Sequence, residues 1–233
     1  MLVAATVCPH PPLLVPGAGA GASDELAGLR AACAAAVDDL LASAPSLVVV
    51  VGGAPAVGPF PEGAWGSLSP YGVRAPVGTG EGPATLPLAL TIGRWLLDRA
   101  GEGAAPVLLF GVEADAGTDR CLALGEALAA RSDRVAMLAM GDGSARRSVK
   151  GPAGLHPDAE AFDAEVAAAL ETGDVAGLAA LSPDRAGELL AAGRAPWQVL
   201  AGAARGRPWQ GSVTWTGAPY GVTYLVAGWA PAG

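Results

Sequence analysis

Leu47-Val-Val-Val-Val51 is the stretch that most restricts how this chain can fold. Four consecutive β-branched residues leave neither side of an extended backbone for water. Such a run reads as a parallel strand covered by helices on both faces. The rest of the chain supplies matching layers. Apolar strand patterns at 2–7, 107–112 and 135–140 alternate with helical patterns at about 23–41, 86–100 and 118–130. Strand and helix in alternation imply a parallel or mixed central sheet flanked by helices. Helical segments follow at about 158–171, 183–191 and 196–204, and strands at 209–216 and 222–229 close the chain. Gly217-Ala-Pro-Tyr-Gly221 joins those two strands as an antiparallel C-terminal hairpin. The expected fold is therefore a single α/β domain over 1–233.

Two segments depart from this rhythm. Residues 52–83 are rich in Gly, Pro and Ser, with Phe60, Trp65 and Tyr71 scattered through them, and read as a long irregular excursion or small hairpin. Gly17-Ala-Gly-Ala-Gly-Ala22 fits the dinucleotide pattern G-x-G-x-x-A. Four prolines and His10 separate it from the first strand, and the acids about 20 residues on, Asp38 and Asp39, lie inside the expected helix. The segment reads instead as a flexible lead into a helix capped by Ser23, with Asp24 and Glu25 in its first turn.

Composition narrows the function classes. The 233 residues are 52% hydrophobic, enough for a substantial core without a linker. The net charge is −8 and the 14 basic residues form no stripe, with Lys150 the sole lysine. Nucleic acid and anionic membranes are poor partners for such a surface. No apolar run approaches the roughly 18 residues of a membrane span. Cys8 follows too short an apolar run to be a lipoprotein acceptor. Cys8, Cys33 and Cys121 are odd in number and widely spaced, which suits reduced thiols in a cytoplasmic protein.

The chain has two histidines, His10 and His156. His10 follows the first strand in Cys8-Pro-His-Pro-Pro12, where it can present a metal ligand at the mouth of an α/β sheet. Gly52 and Gly53 end the second strand, where they either admit a ligand to the backbone or only make the turn. Asp142, Ser144 and Arg146 leave a later strand together. They form either a site for a small polar ligand or an Asx-type turn with solvated arginines. His156 precedes a helix, as a functional imidazole or a surface loop residue. Arg194 stands ahead of a helix opened by Pro196, facing an anion or not, and Trp197 reads as core.

In order along the chain, Val7-Cys-Pro-His-Pro-Pro12, Gly141-Asp-Gly-Ser-Ala-Arg146, the 157–163 segment ending in Phe162-Asp163, Gly173-Asp174 and Ala192-Gly-Arg-Ala-Pro196 resemble the class III extradiol ring-cleavage dioxygenase superfamily. That group contains the catalytic subunit of protocatechuate 4,5-dioxygenase and the Memo branch. The resemblance implies an α/β fold and a non-haem Fe(II) held by two histidines and a carboxylate. It makes His10 the first metal ligand. The family's second metal histidine falls at Gly52-Gly-Ala-Pro55, its acid/base histidine at Ala145, and the Memo branch's cysteine at Ala192. Glu188 and Glu113 are candidates for the carboxylate.

The expectation is a divergent member, with His10, Asp142, Ser144 and Arg146 lining a pocket for a small polar or aromatic molecule. Fe(II) or another divalent metal stays open as cofactor. An active dioxygenase with His10, His156 and an acid gathered around Fe(II) is one alternative. A non-catalytic interaction subunit, docking or dimerising through 52–83 and the C-terminal hairpin, is the other.

Overall fold

The structure, a computed structural model, describes residues 1–18, 25–74, 76–78, 80, 83–101 and 105–233. Its strands are β1 (Leu2–Cys8), β2 (Leu47–Gly53), β3 (Gly58–Pro59), β4 (Gly66–Ser67), β5 (Pro76–Val77), β6 (Val107–Val112), β7 (Val135–Met140), β8 (Trp209–Gly217) and β9 (Tyr224–Pro231). Its helices are α1 (Ala27–Ala42), α2 (Leu88–Arg99), α3 (Thr118–Ala129), α4 (Ala159–Thr172), α5 (Val175–Ala179), α6 (Pro183–Glu188) and α7 (Arg194–Ala203).

Seven strands form one sheet in the order β3-β6-β2-β7-β1-β9-β8. Within it β6, β2, β7 and β1 run parallel, while β9 is antiparallel to β1 and β8 to β9. The α/β architecture with a mostly parallel sheet and a C-terminal antiparallel pair is thus the observed one. The valine run explains the layering. Val49 and Val51 join the apolar layer under α3, α4 and α7, whereas Val48 and Val50 join the layer under α1 and α2. All four are essentially inaccessible. Each buried valine contributes roughly 1.5 kcal/mol or more. On β7, Val135, Met137 and Ala139 face the first layer and Ala136, Leu138 and Met140 the second.

Several boundaries differ from the expected ones. α7 begins at Arg194, so Pro196 sits within its first turn, where the missing N–H has no intrahelical partner to lose. α5 was too short to show periodicity. It exists because Asp174 accepts a hydrogen bond from the Gly177 amide at 2.9 Å, capping a single turn. The 52–83 excursion contributes β3, which pairs antiparallel with β6 at the sheet edge, and the separate β4–β5 ribbon. Residues 19–24 lie outside the described residues, and α1 starts at Ala27 with Leu26 at its N-cap, so its first turn holds neither a Ser23 cap nor Glu25. No helix among the described residues is long and apolar enough to cross a membrane.

Candidate functional site

The parallel strands place the carboxyl ends of β1, β2, β6 and β7 at one edge, and the antiparallel β9 begins at that same edge. Past β1 the chain runs through Pro9 and His10 into a short turn at Pro12–Leu14. Past β7, the Gly141 amide donates to the Cys8 carbonyl at 2.9 Å, continuing the ladder by one step. Asp142 follows. Its Oδ1 accepts the His10 amide at 2.8 Å, and His10 Nδ1 lies 3.4 Å from that same oxygen. Residues 132 positions apart thereby form a pair with side chains only 14% and 15% exposed. His10 Nδ1 is buried and has no well-formed hydrogen bond.

Burial pushes the Asp142 carboxyl above its usual range, and the His10 imidazole and amide pull it back only in part. Tyr224, at the start of β9, is also buried. Desolvation first and the nearby Asp142 charge second hold its phenol well above the ordinary range, so it stays protonated. Tyr224 and Val226 share an apolar layer with Cys8. An imidazole, a carboxylate and a neutral phenol thus surround the strand ends.

Asp142→Asn should be at least as stable as the parent at neutral pH, because the amide oxygen still accepts the His10 amide without the cost of a buried charge. The native state raises this carboxyl's pKa above the unfolded value. Its stabilising contribution is therefore complete below about pH 4 and is lost as pH rises through the folded value. The variant's advantage should be absent in acid and grow toward neutrality in urea midpoints measured across that range. A variant less stable than the parent at neutral pH would contradict dominance of the burial cost.

The turn after Asp142 is fastened from several directions. Ser144 is fully buried. Its amide donates to Asp163 Oδ1 at 2.8 Å, its hydroxyl donates to the Leu189 carbonyl at 3.2 Å, and that hydroxyl accepts the Arg146 amide at 3.1 Å. The hydroxyl is engaged in holding the turn. Arg146 sends one guanidinium nitrogen to the Glu188 carbonyl at 3.2 Å. His156 is half-buried; its amide donates to the Arg146 carbonyl at 2.9 Å and its Nδ1 accepts the Asp158 amide at 3.2 Å ahead of α4. Those bonds join 144–147 to the 155–158 segment.

Gly52 pairs with Met140 in register, one strand away from β1. A Cβ on Gly52 would meet Ala89 at 2.9 Å, so this glycine lets α2 approach the sheet. Gly53 points to the other face of β2, and a Cβ there meets nothing within 4 Å. Arg194 is buried, and its guanidinium donates to the Ala114 and Ala116 carbonyls and to Gln198 Oε1. It binds the β6–α3 loop to α7 through those groups.

Asp163 was missed as a site-building residue. On α4 it lies 3% exposed in the stripe Ala159, Phe162, Val166, Ala169 and Leu170. A carboxylate on an apolar stripe was the available signal. Besides Ser144 it accepts the Thr223 hydroxyl at 2.5 Å and Arg147 at 3.2 Å. Arg147 and Thr223 also lacked a signal, since each gains its role only from this partner. Burial raises the Asp163 carboxyl's pKa, and these donors lower it in part.

The family's iron does not fit this donor set. Gly52 and Gly53, where the resemblance would put a second histidine, carry no ligating side chain. Glu113 pairs with Arg120, and Glu188 is exposed. Among the described residues no three His, Cys, Asp or Glu side chains gather as a metal-binding group. A surface hollow of 530 Å³ lies between α5 and residues 204–207, another of 510 Å³ runs along α4, α5 and α6, and neither is lined by His10 or Asp142. The strand-end site rests on its convergent polar groups, not on cavity size.

No protein-family model matches the chain, and no curated protein matches it. Among solved structures, the crystal structure of an uncharacterized protein from Escherichia coli K12 is similar at a TM-score of 0.52 and 17% identity, covering 98% of this chain and 99% of that one. That likeness speaks for the fold along the whole length.

Proposed function

We propose that this protein is a divergent class III extradiol dioxygenase-like protein whose strand-end site binds a small aromatic or polar hydroxyl compound without the family's two-histidine iron centre. The observation that carries the reading is the pairing of His10 with Asp142 at the carboxyl ends of β1 and β7. Ligands of open α/β sheets bind at that edge. The succession of family-like motifs along the chain adds the substrate class.

The chemistry follows from the groups present. An Asp142 oxygen beside Nδ1 favours the tautomer with the proton there, leaving Nε2 as an acceptor for a ligand hydroxyl. The 3.4 Å separation is long for a hydrogen bond, and such contacts tighten when a ligand excludes water. Tyr224 offers a neutral donor. Together these groups bind a hydroxyl compound and draw on its proton.

A nitrocatechol is a suitable probe, because its absorbance reports its ionisation. The wild-type protein should shift that spectrum saturably. His10→Ala should weaken binding at least tenfold, about 1.4 kcal/mol. Equal affinity in the variant would remove His10 from the site. Metal content measured after anaerobic Fe(II) reconstitution and desalting separates the alternative. Iron near one per chain, lost in His10→Ala, would favour a working dioxygenase with rearranged ligands.

A further inference from the structure

We propose that Cys8 and Cys33 form an oxidisable dithiol, which a small oxidant converts to a disulfide that fastens α1 to the end of β1 beside His10. Side chains alternate along β1, so Thr6 and Cys8 point to the same layer. Thr6 Oγ1 donates to the Ala36 carbonyl at 3.0 Å and sets α1 against the strand. Two residues up the strand and one turn back along the helix stand Cys8 and Cys33. Both are fully buried in one apolar cluster, on the faces of β1 and α1 that the Thr6–Ala36 bond sets against each other. Cys121 lies in the opposite layer, with its thiol on the Ala116 carbonyl and near Arg194, so it does not compete.

The neighbouring Cys33 first and burial second raise the Cys8 pKa, so Cys8 rests as a neutral thiol. Oxidation removes one proton and one electron from each sulfur and forms the S–S bond. A diazene oxidant such as diamide takes up both hydrogens and becomes the hydrazine. Burial makes the reaction depend on local opening, so it is slow compared with that of an exposed dithiol. Once formed, the bond restricts the unfolded chain and stabilises the fold. It also pins the strand end whose Cys8 carbonyl receives the Gly141 amide.

The test uses the folded, full-length chain. After diamide treatment, quenching, denaturation and alkylation, one of the three thiols should remain alkylatable. Peptide mapping should find Cys8 linked to Cys33, the intact mass should fall by two hydrogens, and the urea midpoint should rise until dithiothreitol reverses all three. Cys121→Ala should behave like the parent, and Cys33→Ala should form no intramolecular link. Mapping on the unmutated chain decides the matter even if a variant fails to fold. Three thiols persisting where dithiothreitol itself is fully oxidised, or a link through Cys121 or between chains, would overturn the proposal. None of these readouts involves the hydroxyl-compound site, so either idea can fail alone.

Discussion

Gly141→Ala is expected to destabilise the protein by about 3 kcal/mol or more, at the upper end for overpacking, and to disorder the His10 site with it. A Cβ at Gly141 would lie 2.2 Å from the Gly193 Cα, against backbone that has no rotamer to change. Neither segment can retreat freely. The Gly141 amide is bonded to the Cys8 carbonyl, and the Gly193 amide donates to the Asp142 carbonyl at 2.8 Å. Separating the backbones therefore breaks the bonds that position Asp142. Urea unfolding followed by circular dichroism measures the loss. Gly53→Ala, with open space around the added methyl, is the matched control and should change little. A Gly141→Ala protein within about 1 kcal/mol of the parent would mean that the backbones are farther apart than described.

Asp163→Ala is expected to cost about 3 kcal/mol or more. It strips acceptors from the Ser144 amide, the Thr223 hydroxyl and Arg147 in one change. Arg147 retains 24% exposure, so water relieves part of its loss and keeps the figure from the top of the range. Asp163→Asn should fall between parent and alanine, because one amide oxygen can still receive Ser144 while the amide nitrogen cannot accept from Arg147. Chemical denaturation of the three proteins at neutral pH gives the order. If alanine and asparagine variants both match the parent, the network does not hold the 143–147 turn.

These two positions also show what the amino-acid sequence discloses. Gly141 is visible in the family-like turn, yet nothing near it in sequence reveals that Gly193 presses on it. Phe162-Asp163 stands out as a motif and its spacing puts the carboxylate on the apolar stripe of α4, but only the packed structure shows that Ser144, Arg147 and Thr223 meet it there. Ser144 and Arg194 have the chemistry of ligand groups. Their hydrogen bonds go to the Leu189, Ala114 and Ala116 carbonyls instead. Backbone carbonyls are present at every position, so no residue pattern marks which ones a side chain will meet.

The layers were legible because burial leaves a period. Val48 to Val51 has no polar face, and α4 repeats its apolar residues at helical spacing, so both elements and their covering could be read directly. The meeting of His10 with Asp142, and the burial of Cys8 and Cys33 in one cluster, were decided by tertiary structure. Each depends on strand order and helix position, set by the collective packing of segments distant in the chain. Local periodicity specifies which face is buried; which groups confront one another there follows only when the sheet is assembled.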